Sequence, residues 1–262
     1  MKKKRKWGQN FLTDPSAAGR ILEIAGISRD DAVLEIGPGR GILTQDLVRR
    51  AGELTALEID PRLCAELKKR FSAFPNFRLL QADALKFDYS CLGDRYKVVS
   101  NLPYYAATHI LKRLIHYRGR IADMTVMLQK EVVDRLTARP GQKEYGSLSV
   151  FIQYHCQVER VLEVKKDAFS PPPRIDSSVI RLTPLSRPRV SVADEKAFFQ
   201  IVHAAFLHKR KMLKSNLKQW QKRYQVEQDR IRLAGIDLSR RGETLSLQDF
   251  AVIANHIKPG NG

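Results

Sequence analysis

The hydrophobic pattern from residue 32 to residue 182 alternates short apolar runs with amphipathic stretches. Short runs rich in valine, isoleucine and leucine predict buried strands, whereas apolar residues at every third or fourth position predict helices between them. The predicted strands are 32–36, 53–58, 77–82, 96–100, 123–129, 158–164 and 178–182, and the predicted helices include 42–51, 59–71 and 108–117. This alternation is typical of an α/β fold with a doubly wound, mainly parallel sheet.

The pattern changes near residue 185 and becomes entirely helical from Asp194 onward. Pro184 and Pro188 bracket the predicted linker, since proline cannot donate to a sheet or continue a helix. We therefore expect an α/β domain over 1–185, whose residues 1–12 form a basic arm and a covering segment, and a small all-helical domain over 186–262. One apolar helical face is predicted for the second domain; it consists of Phe206, Leu213, Leu217, Trp220 and Tyr224.

Polar residues and glycines follow the first four predicted strands at their carboxyl ends, namely at Gly37, Glu58, Asp83 and Asn101. Ligands of open α/β sheets bind beyond these ends, so we expect the four positions to share one crevice. Gly37 and Gly39 form a turn into a helix, and Glu58 follows about twenty residues later, the usual spacing of a ribose-binding carboxylate. The order predicts a nucleoside site, although a bare Gly-x-Gly is also a structural turn and a nicotinamide oxidoreductase shares these features.

Asn101-Leu102-Pro103-Tyr104 places an amide, a rigid turn and an aromatic ring after the fourth strand. Asn-x-Pro-Tyr at this point is the arrangement of methyltransferases that act on amino nitrogens, and an acid such as Asp83 can accept a bond from an adenine amino group. We predict that the Asn101 side chain and the Leu102 carbonyl orient the amine, that Pro103 fixes the turn and that Tyr104 stacks on the base. Phe169 is the candidate for the other face of the base, with simple packing as the alternative for both aromatic residues.

The composition is strongly basic, with 46 lysines and arginines against 28 acidic residues and a formal charge of +18. Such a charge favours a nucleic acid as partner, because neutralising phosphates releases counterions; an acidic membrane surface is the competing interpretation. A basic stripe at four-residue spacing runs along the second domain, and residues 2–6 form a basic arm whose role stays open. The residues that we expect to contact the nucleic acid are Arg174, Arg210, Lys211, Lys214, Lys218 and Lys222.

The three cysteines and six histidines do not have the spacing of a metal site. We expect no metal and no disulfide framework. The sequence contains neither a run of about eighteen apolar residues nor a signal-type segment, so we expect a cytoplasmic protein that is not bound to a membrane.

Motifs along nearly the whole chain resemble the bacterial small-subunit (16S) ribosomal RNA adenine N6,N6-dimethyltransferases of the KsgA/RsmA family. The motifs are Gly8-Gln9-Asn10-Phe11-Leu12, the glycine turn from Glu35 to Gly41, Asn101 to Tyr104, Phe169 to Ser177, Ala205 to Lys214, and Leu245 to Phe250. The resemblance implies a Rossmann-like methyltransferase sheet. It also implies that S-adenosylmethionine contacts Asn10, Leu12, Gly37, Glu58, Asp83 and Asn101.

The same resemblance implies the substrate, which is two adjacent adenines in a hairpin loop near the 3′ end of the RNA, within a late small-subunit particle. We further expect a monomer with a role in small-subunit biogenesis. The nearest alternative is the large-subunit rRNA adenine methyltransferase of the macrolide-resistance type, which is disfavoured by residues 245–250 and by the proline-rich loop, residues 169–174. A DNA adenine methyltransferase would more often carry Asp-Pro-Pro-Tyr, and a non-catalytic assembly factor could lose Asn101 and Tyr104.

Overall fold

The structure is a computed structural model that describes residues 10–223 and 235–256. The expected basic arm, the motif residues Gly8 and Gln9, and Tyr224 of the apolar helical face lie outside the described residues.

The described part alternates strands and helices as the pattern predicts. The strands are β1 (Phe11–Leu12), β2 (Ala32–Ile36), β3 (Glu53–Glu58), β4 (Phe77–Gln81), β5 (Tyr96–Asn101), β6 (Ile121–Gln129), β7 (Cys156–Val164), β8 (Phe169–Ser170) and β9 (Ser177–Pro184). The helices are α1 (Pro15–Ala25), α2 (Thr44–Arg50), α3 (Pro61–Phe71), α4 (Ala107–His116), α5 (Lys130–Thr137), α6 (Ser147–His155), α7 (Glu195–Ala205), α8 (Leu213–Arg223) and α9 (Leu247–His256). Short 3₁₀ turns cover Tyr89–Leu92, Arg118–Arg120, Lys166–Ala168 and Gly242–Thr244.

Seven of the strands form one sheet in the order β4-β3-β2-β5-β6-β9-β7. The pairs β4·β3, β3·β2, β2·β5 and β5·β6 are parallel, and β9 joins β6 in antiparallel orientation. The predicted α/β fold with a mainly parallel sheet is confirmed. The chain moves from β2 to β3 on one side and returns to β5 on the other, so the sheet has its topological switch point between β2 and β5.

Local sequence explains where the site-forming elements begin. Both α1 and α3 start at an Asp-Pro pair, in which Asp14 or Asp60 accepts a bond from the backbone N–H two residues later. Proline suits the first helical position because its fixed φ is already helical and its missing N–H has no partner there. β2 is buried from Val33 to Ile36, as expected for a strand with parallel neighbours on both sides.

The chain divides into two compact units. The first comprises residues 10–133 and 157–184 and holds the sheet; the second comprises 134–156, 185–223 and 235–256. The second unit thus takes in residues 134–156, which the sequence-based division placed in the α/β domain. The reason is that Val150 and Tyr154 of α6 pack into the core of the helical unit with Phe198, Leu217 and Phe250. No helix of the described residues is long and apolar enough to cross a membrane.

Candidate methyl-transfer site

A cavity lies beyond the carboxyl ends of the parallel strands, at the switch point between β2 and β5. The volume of the cavity, including its opening to solvent, is about 1000 Å³. The segments that line it are 10–12, 35–40, 42–43, 57–59, 82–85 and 101–106, together with Ile110. The structure thus brings Gly37, Glu58, Asp83 and Asn101 together, as the strand ends predict.

The turn after β2 requires glycine at the point where the cover of the cavity approaches it. Gly37 and Gly39 have φ angles of +68° and +59°, a conformation that disfavours residues with a side chain. A Cβ atom on Gly39 would lie 2.9 Å from Cδ1 of Phe11, so the close approach also excludes larger residues. Both glycines line the cavity.

The Glu58 carboxylate is fixed at the end of β3 by three backbone amides. Oε1 accepts bonds from the N–H groups of Ile59 (2.8 Å) and Asp60 (2.9 Å), and Oε2 accepts one from Gly39 (3.2 Å). Burial raises the pKa of the Glu58 carboxyl above its usual value, and the amide bonds oppose this shift. Because each carboxylate oxygen can accept more than one bond, this arrangement leaves acceptor capacity toward the cavity.

Asp83 lies one strand further along the same edge. Its Oδ1 accepts a bond from the backbone N–H of Leu85 at 2.9 Å, which fixes the side chain at the start of a tight turn. The backbone N–H groups of Lys86 and Phe87 both donate to the Asp83 carbonyl. Asp83 is therefore a preorganised acceptor on the cavity wall next to Ala82, Ala84 and Leu85.

The segment Asn10 to Leu12 forms one side of the cavity. Phe11 and Leu12 pair with Ser170 and Phe169 as the two-stranded sheet β1·β8. The guanidinium of Arg40 lies 4.8 Å from the centroid of the Phe11 ring, within the range of a cation–π contact. These contacts attach the predicted covering segment both to the glycine turn and to the loop that carries Phe169.

Asn101 ends β5 with an unsatisfied acceptor. Its Oδ1 atom is buried and has no hydrogen-bond partner among the described residues. Next to it, the hydroxyl of the buried Ser100 donates to the carbonyl of Ile36 on β2, and the N–H of Leu102 donates to the carbonyl of Met127 on β6. A buried polar atom without a partner is costly, and at a cavity wall it is the signature of a ligand donor that completes it.

Tyr104 and Phe169 are close together but do not form the two parallel walls that the sequence predicts. Their ring centroids are 6.5 Å apart and their planes are inclined by 61°, an edge-to-face arrangement. Tyr104 lines the cavity, whereas Phe169 is 3% exposed, packs into the core of the first unit and is not among the lining residues. The reason is the β1·β8 pairing, which holds Phe169 opposite Leu12.

The sequence interpretation did not assign a role to Glu35, which lines the cavity and is 2% exposed. Its Oε2 accepts a bond from the Thr44 hydroxyl at 2.7 Å, and burial raises the pKa of the Glu35 carboxyl to about 8. An acid inside an otherwise apolar strand was the available signal, since such a residue is rarely buried without a reason.

The predicted RNA-binding residues are exposed, but the predicted stripe of Arg210, Lys214, Lys218 and Lys222 does not lie on a single helix. Lys214, Lys218 and Lys222 lie on α8, and Arg174 lies on the proline-rich loop of the first unit. Arg210 and Lys211 lie in the turn before α8, so the expected helical spacing does not extend to them.

The prediction that no metal is bound stays a prediction; the part of the chain that the structure describes contains no group of three potential His, Cys, Asp or Glu ligands.

Comparison with known proteins gives a consistent result over nearly the whole length. Residues 1–258 match the family model described as "Ribosomal RNA adenine dimethylase". Ribosomal RNA small subunit methyltransferase A of Geobacillus thermodenitrificans is 45% identical over 98% of this chain and 91% of its own length.

Two solved structures are similar as well. A dimethyladenosine transferase from Plasmodium falciparum has a TM-score of 0.78 at 25% identity, covering 93% of this chain and 95% of that one. The 23S rRNA methyltransferase ErmE has a TM-score of 0.71 at 26% identity, covering 94% and 99%.

Proposed function

The chain belongs to the ribosomal RNA adenine dimethylase family, and on that premise we propose that it dimethylates the N6 amino groups of two adjacent adenines in a 3′-terminal hairpin loop of small-subunit rRNA. It is a methyltransferase that uses S-adenosylmethionine and modifies adenine in small-subunit ribosomal RNA. The proposal also includes the choice of adenines, the residues of the site, a late small-subunit particle as substrate, a monomeric enzyme and a role in subunit biogenesis.

The polar groups that line the cavity suit S-adenosylmethionine. Gly37 and Gly39 line the cavity without side chains, Glu58 offers acceptor capacity to ribose hydroxyls, and Asp83 can accept from the adenine amino group of the cofactor. Asn10 and Leu12 close the cavity on the side of the covering segment. When bound, the cofactor supplies an electrophilic methyl group on a sulfonium, which becomes a neutral thioether after transfer.

The unpartnered Oδ1 of Asn101 is the observation that carries the proposal. The N6 nitrogen of adenine is a poor nucleophile because its lone pair is delocalised into the ring. Hydrogen bonds from the amino group to Asn101 Oδ1 and to the carbonyl of Leu102 favour a tetrahedral nitrogen with its lone pair freed for in-line attack. Positioning and electrostatics supply the catalysis, so this step requires no side chain as nucleophile.

Tyr104 holds the ring of the target adenine. Burial raises the pKa of the Tyr104 phenol above its usual value, so the side chain stays neutral at physiological pH. Its face offers a stacking surface worth about 1–3 kcal/mol per base. Pro103 restricts the turn between Leu102 and Tyr104, and Phe169 meets the Tyr104 ring in an edge-to-face arrangement. A base flipped out of its helix costs a few kcal/mol, which this contact surface offsets in part.

We expect purified protein to form N6,N6-dimethyladenosine in immature small subunits when labelled S-adenosylmethionine is supplied. Asn101→Ala should lower this activity by roughly a hundredfold or more, as for the loss of a preorganised polar contact in a transition state, while the affinity for RNA is retained. Mass analysis of the digested RNA measures both methylation states.

A matched control is Gln157→Ala, which removes an exposed carboxamide on β7 that does not line the cavity. This variant should keep the activity of the wild type. Methylation confined to large-subunit RNA would contradict the assignment and favour the macrolide-resistance type of enzyme. Full activity of Asn101→Ala would contradict the role of the amide.

A further inference from the structure

A buried serine contacts the tip of the Tyr104 side chain. The Tyr104 hydroxyl oxygen and Ser177 Oγ are 2.6 Å apart, within the usual range of an O–H···O hydrogen bond. Ser177 is fully buried, is the first residue of β9 and lies opposite Gln129, the last residue of β6. The hydrogen bond therefore connects the loop after β5 to the strand that follows the proline-rich loop.

Ser177 is itself held firmly by its neighbours. The carboxylate of the preceding Asp176 accepts bonds from the Lys166 backbone N–H at 3.0 Å and from Lys165 Nζ at 3.2 Å. The carbonyl of Asp176 accepts from the Lys130 N–H at 3.1 Å. With the sheet pairing of Ser177, these bonds leave Oγ little freedom to move away from Tyr104.

A stacking side chain works only when both the position and the plane of its ring are fixed. Tyrosine has two rotatable torsions in its side chain, and a surface loop alone does not select one combination of them. In Tyr104, the backbone holds one end of the side chain and Ser177 holds the hydroxyl at the other end, which fixes the direction of the side chain. Phe169 meets the ring edge to face and restricts its rotation about that direction. The hydroxyl bond is the only one of these three restraints that a single-atom substitution removes.

We propose that Ser177 is a positioning residue for methyl transfer, because its hydrogen bond to Tyr104 fixes the direction of that side chain and thereby the position of the ring on which the target adenine stacks. The proposal rests on the function proposed above and adds to it a residue that touches neither the base nor the cofactor. Its effect acts through Tyr104 alone.

The test is a double-mutant cycle of Ser177→Ala, Tyr104→Phe and the double variant, measured as methylation of immature small subunits. Each single variant should lower kcat roughly three- to tenfold, the equivalent of one hydrogen bond. The double variant should lose no more than either single variant, since both remove the same bond. KM for the particle and Kd for S-adenosylmethionine should stay unchanged, because other contacts set them.

Ser178→Ala is the matched control. Ser178 is the next residue of β9 and is equally buried, but its Oγ has no hydrogen-bond partner among the described residues. The same atom is removed one position away without loss of a bond, so the activity should equal that of the wild type. An equal fall in both alanine variants would indicate a packing effect and overturn the proposal.

The same four proteins are compared by thermal unfolding, a readout that does not depend on RNA. The two single variants should each lower Tm by about 2–4 °C, and the double variant should not fall further. Additive losses in either cycle would overturn the role of Ser177. If the wild type methylates small subunits and Ser177→Ala does so equally well, this proposal alone is overturned. If the wild type methylates another RNA instead, the proposed substrate alone is overturned, because the cycle can then be measured on that other RNA. A wild type without adenine methylation would overturn both.

Discussion

At the scale of single residues, the site is defined by polar groups that the fold places in apolar surroundings. Asn101 Oδ1 is buried with no hydrogen-bond partner in the part of the chain that the structure describes, and Glu35 is buried with one hydroxyl donor. Each costs folding free energy that a surface position would not. Both line the cavity, so the cost coincides with the place where we propose that a cofactor and a base bind.

Glu35 gives a prediction about pH. Its pKa is raised by burial from the ordinary value of 4.5 to about 8. Between these values the unfolded chain releases the proton and the folded chain keeps it, so the contribution of Glu35 to stability falls as the pH rises. Glu35→Gln removes this titration and keeps an acceptor for the Thr44 hydroxyl.

We expect the free energy of unfolding of Glu35→Gln to exceed that of the wild type by a margin that grows from pH 5 to pH 8. The growth is on the order of 1 kcal/mol per pH unit, and the margin is constant above pH 8. Urea unfolding at several pH values measures the margin. The same substitution at Glu23, exposed on α1, is the surface control. A margin independent of pH would contradict a shifted pKa at Glu35.

At the scale of elements, α8 combines a buried face with an exposed basic face. Leu213, Leu217 and Trp220 belong to the core of the helical unit, while Lys214, Lys218 and Lys222 are exposed. The buried Asn216 also anchors the turn before the helix, because its Nδ2 donates to the carbonyls of Ala205 (2.8 Å) and His208 (3.0 Å). The core contacts explain why the three lysines keep their spacing and a common face.

Reversing the charge of Lys214, Lys218 and Lys222 to glutamate should weaken binding of the small subunit. Each lost phosphate contact lowers the slope of log affinity against log salt by roughly 0.7–0.9. The affinity for S-adenosylmethionine should not change, because these lysines do not line the cavity. Titration of labelled particles at several salt concentrations measures the effect.

The control variant replaces Lys68, Lys69 and Lys86 with glutamate, which changes the total charge by the same amount. These three lysines are exposed in the first unit. An equal loss of particle binding in this control would indicate a general effect of net charge. Equal losses of particle and cofactor binding in the α8 variant would indicate damaged folding.

The hydrophobic periodicity predicted the helices and strands well because each of them is determined by local sequence. Strand patterns and Asp-Pro starts depend on a few neighbouring residues, and the cavity follows from strand ends alone. The assignment of 134–156 differed, since it depends on which core Val150 and Tyr154 enter. Ser177 and Thr44 gave no signal, because their hydroxyls meet Tyr104 and Glu35 only after folding. The edge-to-face contact of Phe169 likewise depends on the β1·β8 pairing.

At the scale of the whole molecule, the excess of 46 basic over 28 acidic residues fits a protein that meets a polyanion. The charge accounts for attraction to RNA but does not select a nucleotide. Selection in our account comes from the amide acceptor and the aromatic ring beyond β5, which suit a flat base with an amino group. The basic charge, together with this amide and this ring, indicates a nucleic-acid substrate in which a particular adenine is accessible.

The most direct test of the central claim is a mass-mapped digest of ribosomal RNA from cells with and without this protein. We predict N6,N6-dimethyladenosine at two adjacent adenines in the 3′-terminal hairpin loop of small-subunit RNA in the first cells, and unmodified adenines there in the second. Unchanged small-subunit RNA, or a difference confined to large-subunit RNA, would contradict the account.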